Sequence, residues 1–133
     1  MTASQTVAGK LPVLVIEDEP SVASFVRAAL ERAGYTVQTA ASGVEALPLL
    51  EHGDFLGVVS DMRTPGGVDG ADVHAWLAAN RPSLVSKLIF ITGDIVNEET
   101  AQTLMKTGAP CVEKPFRISQ LMEVVKKVMG TPQ

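Results

Sequence analysis

The chain has 133 residues, 46% of them hydrophobic and 20% charged, with a single cysteine; this fits one domain with its own apolar core and excludes a disordered tail or a disulfide-stapled mini-protein, and leaves no room for a second domain. Fifteen acidic against eleven basic residues give a net charge of -4, with the basic residues scattered, which argues against direct nucleic-acid binding. No apolar run is long enough to span a bilayer and MTASQTVAGK lacks the regions of a secretory signal, so a cytoplasmic protein that does not engage membranes is expected.

In chain order, the polar segment 1–10 reads as a flexible terminus, and the last three residues also look loosely held. A first strand over residues 11–16 runs into Glu17, Asp18 and Glu19. Pro20 then suits the first turn of a helix whose Val22, Phe25, Val26, Ala29, Leu30 and Ala33 recur at three- and four-residue steps, with Gly34 at its end. A second strand over 36–40 precedes a helix that opens on Ser42 and Glu45, a capping box; Pro48 inside it predicts a kinked or shortened helix. The third strand, 56–60, leads into Asp61 and a Gly-rich loop, followed by a helix over 71–80. A strand at 88–92, a helix at 98–107, a strand at 111–113 and a helix at 118–129 complete five strands and five helices.

The strands are continuous apolar runs such as VLVI and LIFI, as a parallel sheet covered by helices on both faces requires. Right-handed crossovers then make a doubly wound α/β fold. Ligands bind such sheets beyond the carboxyl ends of the strands. Those ends carry Glu17 and Asp18, Asp61, Thr92, and Lys114 with Pro115. Three carboxylates packed together need a counter-charge, and an all-oxygen set suits Mg²⁺. A Mg²⁺ there could hold a phosphoryl group for attack by an Asp carboxylate, with Lys114 and Thr92 on the remaining oxygens. Cys111 has no neighbour at metal-ligand spacing and reads as a small buried hydrophobe.

VLVIEDEP, VVSDMRTP, LIFITGD and VEKPF, in that order and spacing over residues 11–130, resemble the receiver domains of bacterial response regulators. The resemblance implies a single flavodoxin-like domain, core 11–130, with strand order 2-1-3-4-5. It implies that Asp61 is the phosphoacceptor and that Asp18, Asp61 and the backbone carbonyl of Arg63 are direct Mg²⁺ ligands, with Glu17 acting through water. Lys114 resembles the phosphate-contacting lysine, Thr92 the switch hydroxyl, Gly93 the small residue that leaves room for phosphate, and Lys114–Pro115 the family's cis peptide. Arg63 and Asp94 resemble positions that tune hydrolysis of the acyl phosphate, and their charges could pair across the mouth of the site. The implied phosphodonor is a histidine of a sensor kinase or a histidine phosphotransfer domain, since His52 and His74 fall on helices away from the acidic edge.

Two departures stand out. Cys111 occupies the place where many receivers carry a switch aromatic, and a small thiol has no ring to bury, so it cannot gate the usual face around helix four, strand five and helix five in that way. In DMRTPGGVDG, Gly70 comes one residue late, which points to an insertion at Gly66 and Gly67 and a mobile loop. The stretches ADVHAW, FITGDIVNEET and GAPCVEKPF look more like receivers joined to hybrid sensor kinases than those fused to DNA-binding domains. The competing class is a haloacid-dehalogenase-type phosphohydrolase, which also uses a strand-end Asp, Mg²⁺, a Thr and a Lys but normally shows an Asp where Arg63 stands. A flavin or nucleotide module is disfavoured because EDEPS offers carboxylates in place of a Gly-rich phosphate loop.

Overall fold

The computed structural model describes residues 10–132, so the expectation for the amino-terminal segment lies outside the described residues except at Lys10. In chain order the elements are β1 (Val13–Ile16), α1 (Pro20–Arg32), β2 (Val37–Ala40), α2 (Gly43–His52), β3 (Gly57–Asp61), α3 (Gly70–Asn80), α4 (Pro82–Val85), β4 (Leu88–Thr92), α5 (Glu98–Thr107), β5 (Cys111–Glu113) and α6 (Ile118–Met129). The strands form one parallel sheet of order β2-β1-β3-β4-β5. Among the described residues no helix is long and apolar enough to cross a membrane.

The apolar runs are continuous because both faces of the sheet are covered, and strand alternation divides them cleanly. Val13, Val15, Val59, Ile89 and Ile91 pack with Val26, Leu30, Leu121 and Val125 of α1 and α6. Their neighbours Leu14, Ile16, Val58, Leu88 and Phe90 pack on the opposite face with Ala46, Leu50, Val73 and Leu77 of α2 and α3.

Four local features differ from the sequence reading. The described residues hold six helices rather than five, because Pro82 starts the single turn α4, whose four residues are too few to show a period. The helix α2 continues through Pro48, which forfeits only the donor to Val44 O near an exposed side chain. Its capping box is half made: Ser42 Oγ accepts from Glu45 N–H at 3.2 Å, but Glu45 Oε1 reaches back to Ala41 N–H at 3.3 Å. Phe25, expected on the buried stripe of α1, is 42% exposed, its ring 5.9 Å from that of Phe116 beyond the end of β5.

The carboxyl ends of α2 and α6 are held by distant cations. Arg81 Nη1 donates to Leu50 O at 2.8 Å and Gly53 O at 3.0 Å, and its Nη2 pairs with the exposed Asp54. Two charge-assisted bonds to otherwise orphaned carbonyls outweigh a surface ion pair. Arg81→Ala should therefore cost about 2 kcal/mol in urea denaturation, and Asp54→Ala well under 1 kcal/mol. On α6, Lys87 Nζ donates to Val128 O and the Tyr35 hydroxyl donates to Gly130 O.

Candidate functional site

Register converges the chemistry. Val13 pairs with Gly57 and Ile16 with Ser60, so one further step sets Glu17 beside Asp61. Asp61 pairs with Ile91, which sets Thr92 one residue further out, and Thr92 pairs with Glu113, with Lys114 next. The ladder extends past the strand ends to fix these positions: Glu17 N–H donates to Ala40 O at 3.0 Å, Met62 N–H to Ile91 O at 2.9 Å and Lys114 N–H to Thr92 O at 2.7 Å.

Glu17, Asp18 and Asp61 each bring a carboxylate oxygen within 4.8 Å of the others, Glu17 and Asp61 buried and Asp18 exposed. Lys114 Nζ lies between the two buried acids, 2.9 Å from Glu17 Oε1 and 3.2 Å from Asp61 Oδ2, and 3.9 Å from Glu19. Burial pushes the Glu17 carboxyl above its ordinary 4.5; the Lys114 ammonium and the N–H of Glu19 pull it down, and the charge of Asp61 adds to the rise. Burial pulls Lys114 the other way, but its contact with Glu17 and the charge of Asp61 prevail, and its affinity for the proton is raised.

The donor set therefore fits a small hard cation. Three anionic oxygen donors face one ammonium, and the buried Glu17 Oε1 makes no hydrogen bond of good geometry although Lys114 is near. The backbone of the next residue but one closes the site: Arg63 N–H donates to Asp61 Oδ1 at 3.3 Å.

The remaining expected residues surround this cluster. Thr92 is 4% exposed, and its Oγ1 accepts from Asp94 N–H at 3.2 Å. A Cβ on Gly93 would meet nothing within 4 Å, so the space beside it is open. That space is a groove of about 500 Å³ lined by Ser21, Val22, Phe25, Gly93, Lys114, Pro115 and Phe116. The Lys114–Pro115 bond is cis.

Other expectations are corrected. Arg63 and Asp94 form no ion pair; both side chains are exposed, where attraction is too weak to hold two flexible groups together. Cys111 is partly rather than fully buried, packed against the cluster of Leu14, Ile16 and Phe90. Burial, and then the charge of Glu113, push its thiol up to about 11, which leaves it protonated and unreactive at neutral pH. His52 is exposed in the last turn of α2, and His74 of α3 stacks on Phe90 at 6.3 Å.

Two further residues hold this edge together: Gly70, which the sequence reading marked only by its late place, and Thr64, which it passed over. Gly70 starts α3 where a Cβ would lie 2.9 Å from Asp61 O, so only glycine lets the helix begin against the strand. Thr64 sits between the loop and α2: its Oγ1 donates to Val68 O at 2.7 Å and accepts from Gly43 N–H at 3.1 Å. A hydroxyl three residues after Asp61 and before Gly66-Gly67 is the only hint, since Ser and Thr favour such local turns.

The family model for the response regulator receiver domain matches residues 13–126. Among curated proteins, the sensor kinase CckA of Brucella abortus (strain 2308) is 35% identical over 123 residues, 91% of this chain and 13% of that protein. The transcriptional regulatory protein TcrA of Mycobacterium tuberculosis (strain ATCC 25618 / H37Rv) is 41% identical over 109 residues, 82% of this chain and 42% of that protein. The chain thus spans less than half the length of these two relatives. Among solved structures, a CheY-like response regulator receiver domain protein from Methanospirillum hungatei JF-1 superposes with a TM-score of 0.79 at 25% identity, over 90% of this chain and 93% of the other.

Proposed function

The chain belongs to the response regulator receiver domain family, and on that premise we propose that it takes a phosphoryl group from a phosphohistidine onto Asp61. The observation that carries this assignment is the meeting of Glu17, Asp18, Asp61 and Lys114 at one edge of the sheet. One Oδ of Asp61 attacks phosphorus; the new O–P bond forms as the N–P bond breaks, the imidazole leaves with the electron pair, and Asp61 becomes an acyl phosphate.

Asp18, Asp61 and the Arg63 carbonyl would hold Mg²⁺ directly, with Glu17 through water. When bound, Mg²⁺ supplies positive charge that offsets the repulsion between the carboxylate and the phosphoryl oxygens. Lys114 already touches Asp61, so it needs only to turn from Glu17 to contact a new phosphoryl oxygen. Thr92 stands one register step away with a hydroxyl free to donate, and the open space at Gly93 gives that oxygen room. Arg63 and Asp94, unpaired with each other and exposed, would tune access of water to the acyl phosphate.

The donor is a sensor histidine kinase or a histidine phosphotransfer domain, and the match to part of a sensor kinase supports a receiver from a hybrid kinase. Catalysis is limited to the chain's own phosphorylation and dephosphorylation. The phosphohydrolase alternative finds no support, with Arg63 where those enzymes carry an acid and the paired acids on a different strand.

Intact-mass spectrometry after incubation with acetyl phosphate tests the proposal. One phosphoryl adduct that requires Mg²⁺ and is released by hydroxylamine is expected. A folded chain that shows no adduct even after rapid quenching would overturn it.

A further inference from the structure

We infer that Thr64 is a positioning residue for the metal site, a latch that sets the carbonyl of Arg63 by tying the loop after β3 to the first turn of α2. The inference rests on the proposed assignment of that carbonyl as a ligand.

A helix leaves its first amides without partners. In α2, Ser42 Oγ takes the amide of Glu45, while that of the buried Gly43 is taken by Thr64 Oγ1 from across the fold. The same hydroxyl donates to Val68 O at 2.7 Å, so one side chain closes the loop on itself and fastens it to the helix. Between these anchors, Gly66 and Gly67 turn the chain back at φ +92° and +83°, a region that favours glycine. The contact is tight: a Cβ on Gly43 would lie 2.5 Å from Val68 O, and one on Gly66 2.9 Å from Val44 Cγ2. The insertion loop expected to be mobile is thus tethered at its start and packed on α2.

The peptide unit from Arg63 Cα to Thr64 Cα is planar and contains the Arg63 carbonyl. Arg63 N–H is held by Asp61 Oδ1 on one side, and Thr64 is held by its two hydrogen bonds on the other. With both flanks fixed, the plane cannot turn freely, and the direction of its oxygen is set before any ion arrives. Such outer contacts orient ligands and govern metal affinity.

Calorimetric titration with MgCl₂, well below the melting temperature, tests the latch in the full chain. Thr64→Val keeps the shape but has no hydroxyl, and should weaken Mg²⁺ binding about tenfold. Thr64→Ser keeps the hydroxyl and should bind within about twofold of the wild type. A purely structural role would lower the metal-free melting temperature of Thr64→Val without that loss of affinity. Equal affinity in Thr64→Val, or a loss of equal size in Thr64→Ser, overturns the latch while leaving the ligand assignment standing. A wild type that does not bind Mg²⁺ overturns the assignment itself. Amide exchange in the unmodified chain adds a reading that needs no variant: the Gly43 amide should be protected relative to the unpartnered Val44 amide, and equal rates would overturn the latch.

Discussion

Asp61→Asn protein given acetyl phosphate and Mg²⁺ takes up no phosphoryl group and melts no lower than the wild type when metal-free. The amide has the shape of the carboxylate, so the buried end of β3 gains neither cavity nor clash. Its oxygen can still accept from Lys114, 3.2 Å from the wild-type Oδ2. What it lacks is the anionic nucleophile, and the neighbouring hydroxyl on the strand, Ser60, is neutral, buried and donates to the carbonyl of residue 61. Stability should be equal or higher, because the cluster sheds one of three negative charges while Glu17 keeps its ammonium partner. Intact mass and thermal melting check the two halves, and an adduct that persists in Asp61→Asn would move the phosphoacceptor elsewhere.

Lys114→Met should cost about 2–3 kcal/mol at pH 7 without Mg²⁺, somewhat below the loss for breaking a fully buried ion pair because Lys114 retains 19% side-chain exposure. The methionine fills the space of the stem but leaves Glu17 and Asp61 facing each other without a counter-charge. Mg²⁺ should restore much of the loss by supplying that charge, so urea denaturation with and without it carries the test. The pH dependence has a defined sign. Glu17 is raised above 4.5 in the fold, so the folded state binds its proton more tightly than the unfolded state, and metal-free stability falls as pH rises from that value through the folded one. The fall should steepen in Lys114→Met, where the ammonium no longer restrains the shift. A variant equally stable in both buffers would remove Lys114 from its place as the resident counter-charge.

The sheet was legible because its apolar runs are unbroken, and the edge was legible because a parallel sheet gathers its strand ends. VLVI followed by EDE, and LIFI followed by T, announce both a buried strand and the residue it delivers. The features that escaped depend on contacts without a local pattern. Arg81 caps a helix that ended some 28 residues earlier, and Thr64 serves an amide 21 residues away; neither spacing belongs to a helix or strand period. Phe25 misled because periodicity reports which residues share a face, whereas the extent of the sheet beneath that face decides which of them it covers. The Arg63–Asp94 pair failed for a different reason: positions two residues beyond Asp61 and Thr92 put both charges at the mouth of the site but do not fix where exposed side chains point, and exposed ions have little to gain from meeting.

The seating of the last helix has a practical corollary. Met129 packs against Gly57 and the carbonyl of Val128 against Lys87, both at the amino edge of the sheet, and Tyr35 fastens Gly130 nearby. Asp61 lies four residue steps along β3 from Gly57, about 13 Å at the usual rise of a strand. A tether grafted after Gly130 would leave a sensor surface on the far side of the molecule from Asp61, with the acidic edge turned toward the flowing solution and open to an incoming protein.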